Sequence, residues 1–426
     1  MVSLTDLFLA SLLVPTSLGS ALPPRIIDTI DQRGGRVTLK QVRNPRGHKA
    51  FNPARATYRT FLKYGVPAPD YIKKAVAHID EEQEEAFARI KRDTGSAAAI
   101  PINEVDIAYV TPVTIGTPPQ TLMLDLDTGS SDLWVFSSLT PSNQVRGQEI
   151  YSPTKSSTSK LLSGHTWSIR YGDGSGSRGT VYTDNFTIGG LEVKSQAVQA
   201  ALEVSSSFTQ EQSLDGLVGL GFSALNTVRP SSQLTFFDNA RPNLDEEVFT
   251  ADLKYHATGS YDFGFIDSKK YAGNITYTAV QQSPGYWTHS LSGYSVGSGA
   301  FQASQISGIS DTGTTLLYLP TAIVTAYYRQ VQGAQNSQYY GGYVFPCSST
   351  LPTFTFGIEG ARFTIPASYI NYTRISPTST TCYGGLQSSS GLGINIFGDV
   401  ALKAAFVVFS GTNPPRIGFA IKPLAS

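Results

Sequence analysis

One stretch of this 426-residue sequence occurs twice, and the duplication restricts the fold more than any other feature. Residues 124–135, LDLDTGSSDLWV, align without a gap with residues 308–319, GISDTGTTLLYL. Each copy contains Asp-Thr-Gly, two hydroxyl residues and a hydrophobic–aromatic–hydrophobic triplet. A Val-Gly or Phe-Gly pair follows, ending 92 residues after the aspartate of the first copy and 87 residues after that of the second. The repeat predicts two lobes of similar construction, each presenting one Asp-Thr-Gly turn.

From residue 105 onward, the pattern is typical of an all-β protein with a few short helices. Short apolar runs alternate with clusters of Gly, Ser, Asp and Pro. Charged residues make up 15% of the chain, against roughly 25% in an average soluble domain, which argues against long solvated helices. Strands are predicted at 108–115, 120–126, 166–171, 180–188 and 362–365, and a helix at 322–332.

The first twenty residues are predicted to be a signal peptide, and secretion to the extracellular space is therefore expected. Residues 7–18 are mostly apolar, and small residues follow them as at a signal-peptidase site. Three Asn-X-Thr sequons agree with this route and are candidate glycosylation sites: Asn185, Asn274 and Asn371.

The N-terminal part of the chain is basic and the rest is acidic. Residues 1–92 hold 15 Lys+Arg and 9 Asp+Glu, a net charge of +6, and the remaining 334 residues carry −6. Residues 69–92 look helical, and residues 93–104 are predicted to be a linker. A basic arm often binds nucleic acid or membrane, but the acidic body of the same chain is a nearer partner. An intramolecular complex without nucleic acid is therefore expected.

The repeated motif suits a carboxylate displayed on a tight loop. Its Gly is expected to supply the positive φ of the turn, and its Thr and Ser hydroxyls to hold the loop or the carboxylate. One Asp-Thr-Gly is more often an ordinary turn, but two copies in a duplicated frame indicate a pair. If the lobes face each other, Asp127 and Asp311 would share a proton. The charged carboxylate would then activate a water while the neutral one polarises or protonates a carbonyl.

With these motifs, residues 105–426 resemble the pepsin family of aspartic endopeptidases, and most closely the fungal aspergillopepsin and penicillopepsin type. The resemblance implies a bilobal pepsin-like acid protease fold, in which two pseudo-symmetric β lobes enclose the active-site cleft. It implies hydrolysis of internal peptide bonds at acidic pH, between large hydrophobic residues, without cofactor or metal. The proton shared by the two aspartates is a known property of this family and is taken over with the resemblance.

The resemblance also implies roles for individual residues. Asp127 and Asp311 match the catalytic pair, and Ser130 and Thr314 match the hydroxyls that support them. Tyr171 matches the flap tyrosine, although an ordinary hairpin aromatic would also fit this position. The flap and substrate-binding residues are Tyr171, Gly172, Asp173, Trp134, Phe208 and Leu217, of which Trp134 and Phe208 have burial in the core as the more frequent alternative.

Two further matches concern the C-terminal lobe and the basic segment. Cys347 and Cys382 match the single disulfide of the C-terminal lobe. Lys63 matches the prosegment lysine that reaches the catalytic carboxylates, with Lys40 as a weaker candidate. The resemblance therefore implies an intramolecular inhibitor that is removed near residues 91–92 or in the linker.

Four residues near the motifs depart from the family pattern or compete with it. Ser310 stands where a small apolar residue is usual, and Arg178 adds a positive charge near the flap. Both are expected to affect specificity more than activity. Asp125 and Asp132 flank the first motif and are interpreted as structural or surface carboxylates.

Two other motifs and the histidines could suggest different functional sites, but the rest of the sequence does not support them. Residues 174–179 satisfy the dinucleotide fingerprint, but a strand-like pattern follows where a helix is required. Residues 293–297 mimic a serine-hydrolase elbow, but its triad needs a later histidine and the sequence has none after His289. The five histidines are scattered, so no metal site is predicted.

The sequence thus predicts a secreted acid endopeptidase made as a zymogen and acting as a monomer on protein and peptide substrates, with lysine also accepted at the primary position. A peptide-binding family member without activity and a surface-anchored protease are the alternatives, and the C-terminal 421–426 lacks the hydrophobic tail of a lipid anchor. The predicted parts are a signal peptide (1–20), an inhibitory propeptide (21–92), a linker (93–104), an N-terminal lobe (105–272) and a C-terminal lobe (273–426).

Overall fold

The computed structural model describes residues 35–40, 42–43, 52–94, 109–170, 176–210 and 214–424. The predicted signal peptide and the predicted flap residues Tyr171, Gly172 and Asp173 lie outside the described residues. Most of the predicted linker also lies outside them.

Short strands dominate the described residues. They arise where alternate side chains are apolar, as in β4, whose Leu122, Leu124 and Leu126 are buried on one face. In chain order the strands are β1 (Val37–Lys40), β2 (Val42–Arg43), β3 (Tyr109–Ile115), β4 (Gln120–Asp127), β5 (Leu133–Val135), β6 (Lys160–Arg170), β7 (Gly176–Ile188), β8 (Leu191–Glu203), β9 (Gly216–Gly219), β10 (Val248–Asp252), β11 (Ser260–Phe263), β12 (Ala272–Ala279), β13 (Thr288–Val296), β14 (Gln302–Ser310), β15 (Leu317–Leu319), β16 (Gln335–Ser337), β17 (Gly342–Pro346), β18 (Phe354–Ile358), β19 (Ala361–Ile365), β20 (Asn371–Arg374), β21 (Thr381–Gly384), β22 (Leu386–Ser388), β23 (Ile396–Phe397), β24 (Phe406–Ser410) and β25 (Arg416–Ile421).

Helices are few, and the two longest lie in the basic segment. In the described part of the chain, no helix combines the length and apolar character needed to span a bilayer. The α-helices are α1 (Pro53–Lys63), α2 (Asp70–Thr94), α3 (Ser206–Thr209), α4 (Phe236–Ala240), α5 (Thr321–Tyr328), α6 (Ala367–Ile370) and α7 (Asp399–Leu402).

Both Asp-Thr-Gly turns lie in sheets of the same design. In the eight-stranded sheet, β4 pairs in parallel with β9, β9 antiparallel with β5, and β5 in parallel with β8. In the seven-stranded sheet, β14 pairs in parallel with β23, β23 antiparallel with β15, and β15 in parallel with β22. The predicted mostly β fold with two lobes of like construction is confirmed.

A six-stranded sheet combines strands from distant parts of the chain. Its order is β1-β11-β10-β24-β25-β12, so the basic segment supplies one edge strand. All five residues of β24 are buried, which agrees with its sequence FVVFS, apolar except for the last residue, Ser410. The predicted lobe boundary between residues 272 and 273 falls at the start of β12, within this sheet.

Some elements differ in extent from the prediction, and others were not predicted. The helix predicted at 322–332 ends at Tyr328, because the next backbone N–H groups, of Gln330 and Val331, bond to carbonyls three residues back. The strand predicted at 166–171 is longer and begins at Lys160. Helix α1 was not predicted, although Asn52 as the N-cap and Pro53 at the first helical position are typical start signals.

The two cysteines form the disulfide that the resemblance implied. Cys347 and Cys382 are bonded, and their Cα atoms lie 4.9 Å apart. The bond joins the end of β17 to β21 in the four-stranded sheet β16-β17-β21-β20. This pairing is confirmed.

Candidate active site

The two repeated aspartates lie together at the ends of corresponding strands. Asp127 is the last residue of β4, and Asp311 directly follows β14. Both are fully buried as residues. Because β4 and β14 occupy the same position in their sheets, the repeat delivers one carboxylate from each lobe.

The two motif threonines join the loops across the lobes. The backbone N–H of Thr128 donates to Thr312 Oγ1 (3.1 Å), and the N–H of Thr312 donates to Thr128 Oγ1 (3.0 Å). Their hydroxyls also donate hydrogen bonds: Thr128 Oγ1 to the carbonyl of Ser310 (2.9 Å), and Thr312 Oγ1 to the carbonyl of Leu126 (2.5 Å). The resulting network is symmetric and buried, so it fixes the separation of the two aspartates.

The motif glycines are required for close approach and not for an unusual backbone angle. Neither Gly129 nor Gly313 has a positive φ, so the expectation of a positive-φ turn was wrong. A Cβ on Gly129 would lie 2.4 Å from Asp311 Oδ1, and one on Gly313 would lie 2.4 Å from Asp127 Oδ1. Each glycine therefore makes room for the carboxylate of the opposite lobe.

Each carboxylate accepts hydrogen bonds from its own loop. Asp127 accepts from the N–H of Gly129 (2.8 Å) and the hydroxyl of Ser130 (2.6 Å). Asp311 accepts from the N–H of Gly313 (3.0 Å) and, by a short contact, from the hydroxyl of Thr314. The predicted supporting hydroxyls thus contact the predicted pair.

Lys63 of the basic segment lies between the two carboxylates. Its Nζ is 2.7 Å from Asp127 Oδ1 and 2.8 Å from Asp311 Oδ1, so the two oxygens are at most about 5.5 Å apart. The hydroxyl of Tyr64 also donates to Asp311 Oδ2. Lys63 ends α1, and Gly65 (φ +68°) stops the helix there. The weaker candidate, Lys40, is exposed on β1.

The charges of this cluster are asymmetric. Burial raises the pKa of Asp127 above its ordinary value, although Lys63 opposes this effect. Burial also acts to raise the pKa of Asp311, but Lys63, Thr314 and Tyr64 together outweigh it, and the pKa is lowered. Burial alone would lower the pKa of Lys63, but the two carboxylates outweigh it and the pKa is raised. The arrangement favours an ionised Asp311 bound to a protonated Lys63.

A cavity of about 410 Å³ adjoins the aspartates and has an apolar wall. Trp134 is buried in this wall, with Phe208 edge-on at 5.1 Å between ring centroids. Leu217 is paired with Trp134 across β9 and β5 and also lines the cavity. These three predicted substrate-binding residues therefore meet in one wall.

The neighbouring carboxylates differ in their surroundings. Asp132 is buried and accepts from the side chain of Asn226 and the backbone N–H of Thr227, which is a structural role. Asp125 lines the cavity, and burial together with the charges of Asp127 and Asp399 raises its pKa well above the ordinary value. A contribution of Asp125 and Asp399 to the cavity was not anticipated, because only the assembled sheets bring them together.

The departures from the family pattern also have defined positions. Ser310 is buried, and its carbonyl belongs to the threonine network. Arg178 donates to Glu203 on the next strand (2.8 Å) and does not line the cavity. Of the sequon asparagines, Asn274 is exposed, whereas Asn185 and Asn371 are partly buried.

The competing motifs do not form their sites in the described residues. Residues 176–179 open strand β7, and residues 293–296 lie within β13. His289 is buried between Phe397 and Phe419. Within the described ranges, no group of three or more His, Cys, Asp or Glu side chains is placed to hold a metal ion.

The basic segment contacts the body at several points besides Lys63. Strand β1 pairs with β11, and Thr38 donates to Asp262 (2.7 Å). The hydroxyls of Thr57 and Tyr383 lie 3.1 Å apart, and Gln83 donates to the carbonyl of Ile375 (2.8 Å). The segment is therefore attached mainly by packing and hydrogen bonds, with Lys63 and Tyr64 as its contacts to the aspartates.

Comparison with known proteins gives consistent matches. A family model described as eukaryotic aspartyl protease matches residues 108–422, which include both Asp-Thr-Gly motifs. The chain is 98% identical over 426 residues to podosporapepsin of Podospora anserina, with 100% of both chains covered. It is 58% identical over 388 residues to endothiapepsin of Cryphonectria parasitica, covering 91% of each. It is 50% identical over 420 residues to penicillopepsin-3 of Penicillium janthinellum, covering 99% of this chain and 100% of the relative.

Proposed function

The chain belongs to the eukaryotic aspartyl protease family as an aspartic-type endopeptidase of the pepsin type, and we propose that Asp127 and Asp311 are its catalytic pair. The symmetric placement of the two carboxylates around Lys63 Nζ is the observation that carries the proposal. The family resemblance inferred from the sequence is confirmed. The roles of individual residues remain proposals.

The proposed mechanism begins when the basic segment, and Lys63 with it, has left the two aspartates. Without the cation, two buried carboxylates at this separation cannot both be ionised at acidic pH, so they share one proton. The ionised aspartate takes a proton from a water bound between them, while the protonated one donates to the peptide carbonyl. The hydrogen bonds from Ser130 and Thr314 keep both carboxyl groups in position.

We infer that residues 21–92 form an inhibitory propeptide. Lys63 and Tyr64 occupy the hydrogen-bonding positions that water and substrate need at the aspartates. Removal of the segment would open the cavity with its apolar wall, which suits a large hydrophobic side chain next to the scissile bond. The boundaries of the linker and of the two lobes stay as predicted from the sequence.

Secretion belongs to the same proposal. A disulfide persists in oxidising compartments, and Cys347–Cys382 is consistent with the secretory route. Exposed Asn274 is the sequon most accessible to a glycan. We propose that the mature enzyme acts as a monomer outside the cell.

Digestion of a denatured protein by the acid-treated chain tests this function. Internal cleavage should occur at acidic pH, decline toward neutral pH, and be blocked by a statine-type inhibitor, whose hydroxyl mimics the attacking water. The untreated precursor at neutral pH is the matched control and should be silent. Full activity of the uncleaved precursor at neutral pH would rule out the inhibitory role of the basic segment.

We further propose that Asp173 lets the enzyme accept lysine at the primary position. Asp173 follows the predicted flap tyrosine by two residues, so its carboxylate would meet a substrate ammonium in a partly dehydrated pocket. The alternative that Arg178 neutralises Asp173 is weakened, because Arg178 is already bonded to Glu203. The remaining alternative is that Asp173 only stabilises its turn.

Asp173→Ser should lower kcat/KM on a lysine peptide about ten- to a hundred-fold, since a charge-assisted contact contributes about 1.5–3 kcal/mol. The measurement compares peptides that carry Lys or Phe at the primary position. The Phe peptide is the control and should lose little. Equal losses on both peptides would restrict Asp173 to shaping the flap.

A further inference from the structure

The active-site cavity is lined by charged groups from two parts of the chain. The basic segment contributes Arg59 and Lys63. Among the described lining residues, the body contributes one cation, Arg170. The carboxyl groups that the body contributes to the described lining are those of Asp125, Asp127, Asp132 and Asp399. Once the basic segment leaves, Arg170 is the cation that stays in this described lining.

Arg170 is placed at the rim of the cavity and has no bonded partner among the described residues. It is the last residue of β6, next to the predicted flap tyrosine, and it is exposed. Its backbone pairs with Gly176, but its guanidinium makes no hydrogen bond or ion pair with the described residues. A guanidinium that the described residues leave unpaired at the edge of an apolar cavity can bind an incoming anion.

Nearby charged groups are already bonded to other partners. Arg178, on the strand that pairs with β6, donates to Glu203 (2.8 Å). Asp132 accepts from Asn226 and Thr227. Arg170 therefore differs from the other arginine of the same hairpin in its position at the cavity and in having no partner within the described part of the chain.

We propose that Arg170 binds an acidic side chain of the substrate, so that the mature enzyme prefers Glu or Asp at one position close to the scissile bond. The inference rests on the proposed function, because it takes the cavity to be the substrate cleft. The planar guanidinium presents paired N–H donors whose spacing matches the two oxygens of a carboxylate.

This contact has a characteristic pH dependence. Arginine stays charged at all relevant pH values, whereas a glutamate side chain has an ordinary pKa of about 4.3. At pH 5.3 about 90% of such side chains are ionised, and at pH 3.3 only about 10%. The preference should therefore be present at the higher pH and nearly absent at the lower one.

Peptide pairs that differ only by Glu or Gln test the inference. One pair is made for each of the three positions on either side of the scissile bond, and kcat/KM is measured with mature enzyme at pH 5.3 and 3.3. At one position the Glu peptide should be favoured about three- to ten-fold at pH 5.3, between the values typical of exposed ion pairs and of charge-assisted hydrogen bonds. At pH 3.3 the ratio should approach one.

Variants assign the preference to Arg170. In Arg170→Gln the Glu/Gln ratio should fall to about one at pH 5.3, whatever the rate on the Gln peptide. Arg178→Gln is the matched control on the same hairpin and should keep the parent ratio. A parent ratio of one at every position, or a preference that survives in Arg170→Gln, would overturn the inference. The proposed function fails separately, if neither peptide is cleaved at either pH.

Discussion

Replacing either Asp127 or Asp311 with asparagine should abolish turnover while leaving the fold intact. General acid–base catalysis alone contributes about 10²–10⁴-fold, and loss of the water-activating group adds to this. An amide cannot act as the base or share the proton. The backbone hydrogen bonds from Gly129 and Gly313 can still reach the amide oxygen, so the loops should keep their positions. The measurement is kcat on a peptide substrate after the variants are matured with a trace of parent enzyme.

A buried carboxylate outside the site provides the control. Asp215 accepts hydrogen bonds from the N–H groups of Met123 and Glu149, both at 2.8 Å. Asp215→Asn should lower the free energy of unfolding by about 1–3 kcal/mol, as expected for disturbed buried hydrogen bonds, with kcat retained in the folded fraction. Near-normal turnover of Asp127→Asn or Asp311→Asn at any acidic pH would contradict the proposed mechanism.

Replacing Lys63 with glutamine should allow the precursor to mature at pH values at which the parent precursor shows no activity. Removing one partner of a buried ion pair costs about 3–5 kcal/mol, because the remaining charges are left uncompensated. The inhibitory contact would weaken by about 10²-fold or more. We expect the Lys63→Gln precursor to cleave itself near pH 6, measured by the appearance of mature chain on a gel over time.

The parent precursor should mature only as the pH falls, as expected from the lowered pKa of Asp311. Its pKa is lowered in the folded precursor from the ordinary 3.8, so the ionised group stabilises the complex above 3.8. That contribution is lost as the pH falls through the lowered value. The pKa of Lys63 is raised above 10.5, so its contribution is complete at all acidic pH values and triggers nothing there. Burial raises the pKa of Asp127, which favours the folded precursor as this group takes up a proton. Release therefore follows from protonation of the carboxylate that binds Lys63 in the ionised form.

Two further variants separate charge from packing. Lys63→Arg keeps the cation and should keep the requirement for low pH. Lys40→Gln changes an exposed lysine of the same segment and should behave like the parent. A Lys63→Gln precursor with the pH profile of the parent would show that packing of α1 and α2, and not the ion pair, holds the segment in place.

Much of the fold and the predicted site can be derived from the sequence, because duplication and alternation are local patterns. The repeat of Asp-Thr-Gly with its hydrophobic triplet predicts two similar sheets, and the alternating Leu122, Leu124 and Leu126 predict a strand with one buried face. Lys63 was accessible only through the family resemblance, which also implied the pairing of the two cysteines. Helix α1 was not predicted, although Asn52 and Pro53 are typical start signals.

What the sequence determined by itself is the number of lobes, their β character and the repeat that places one aspartate at a strand end in each, since each depends on residues that are neighbours in the chain. Only the tertiary structure decided how the lobes meet. The mutual hydrogen bonds of Thr128 and Thr312 and the room that Gly129 and Gly313 leave for the opposite carboxylates join residues that lie 184 positions apart or nearly so. The same holds for Asp399 beside Asp125 and for the position of Arg170 at the cavity rim. Such contacts arise from the packing of one sheet against another, and no local pattern of the sequence encodes that distance.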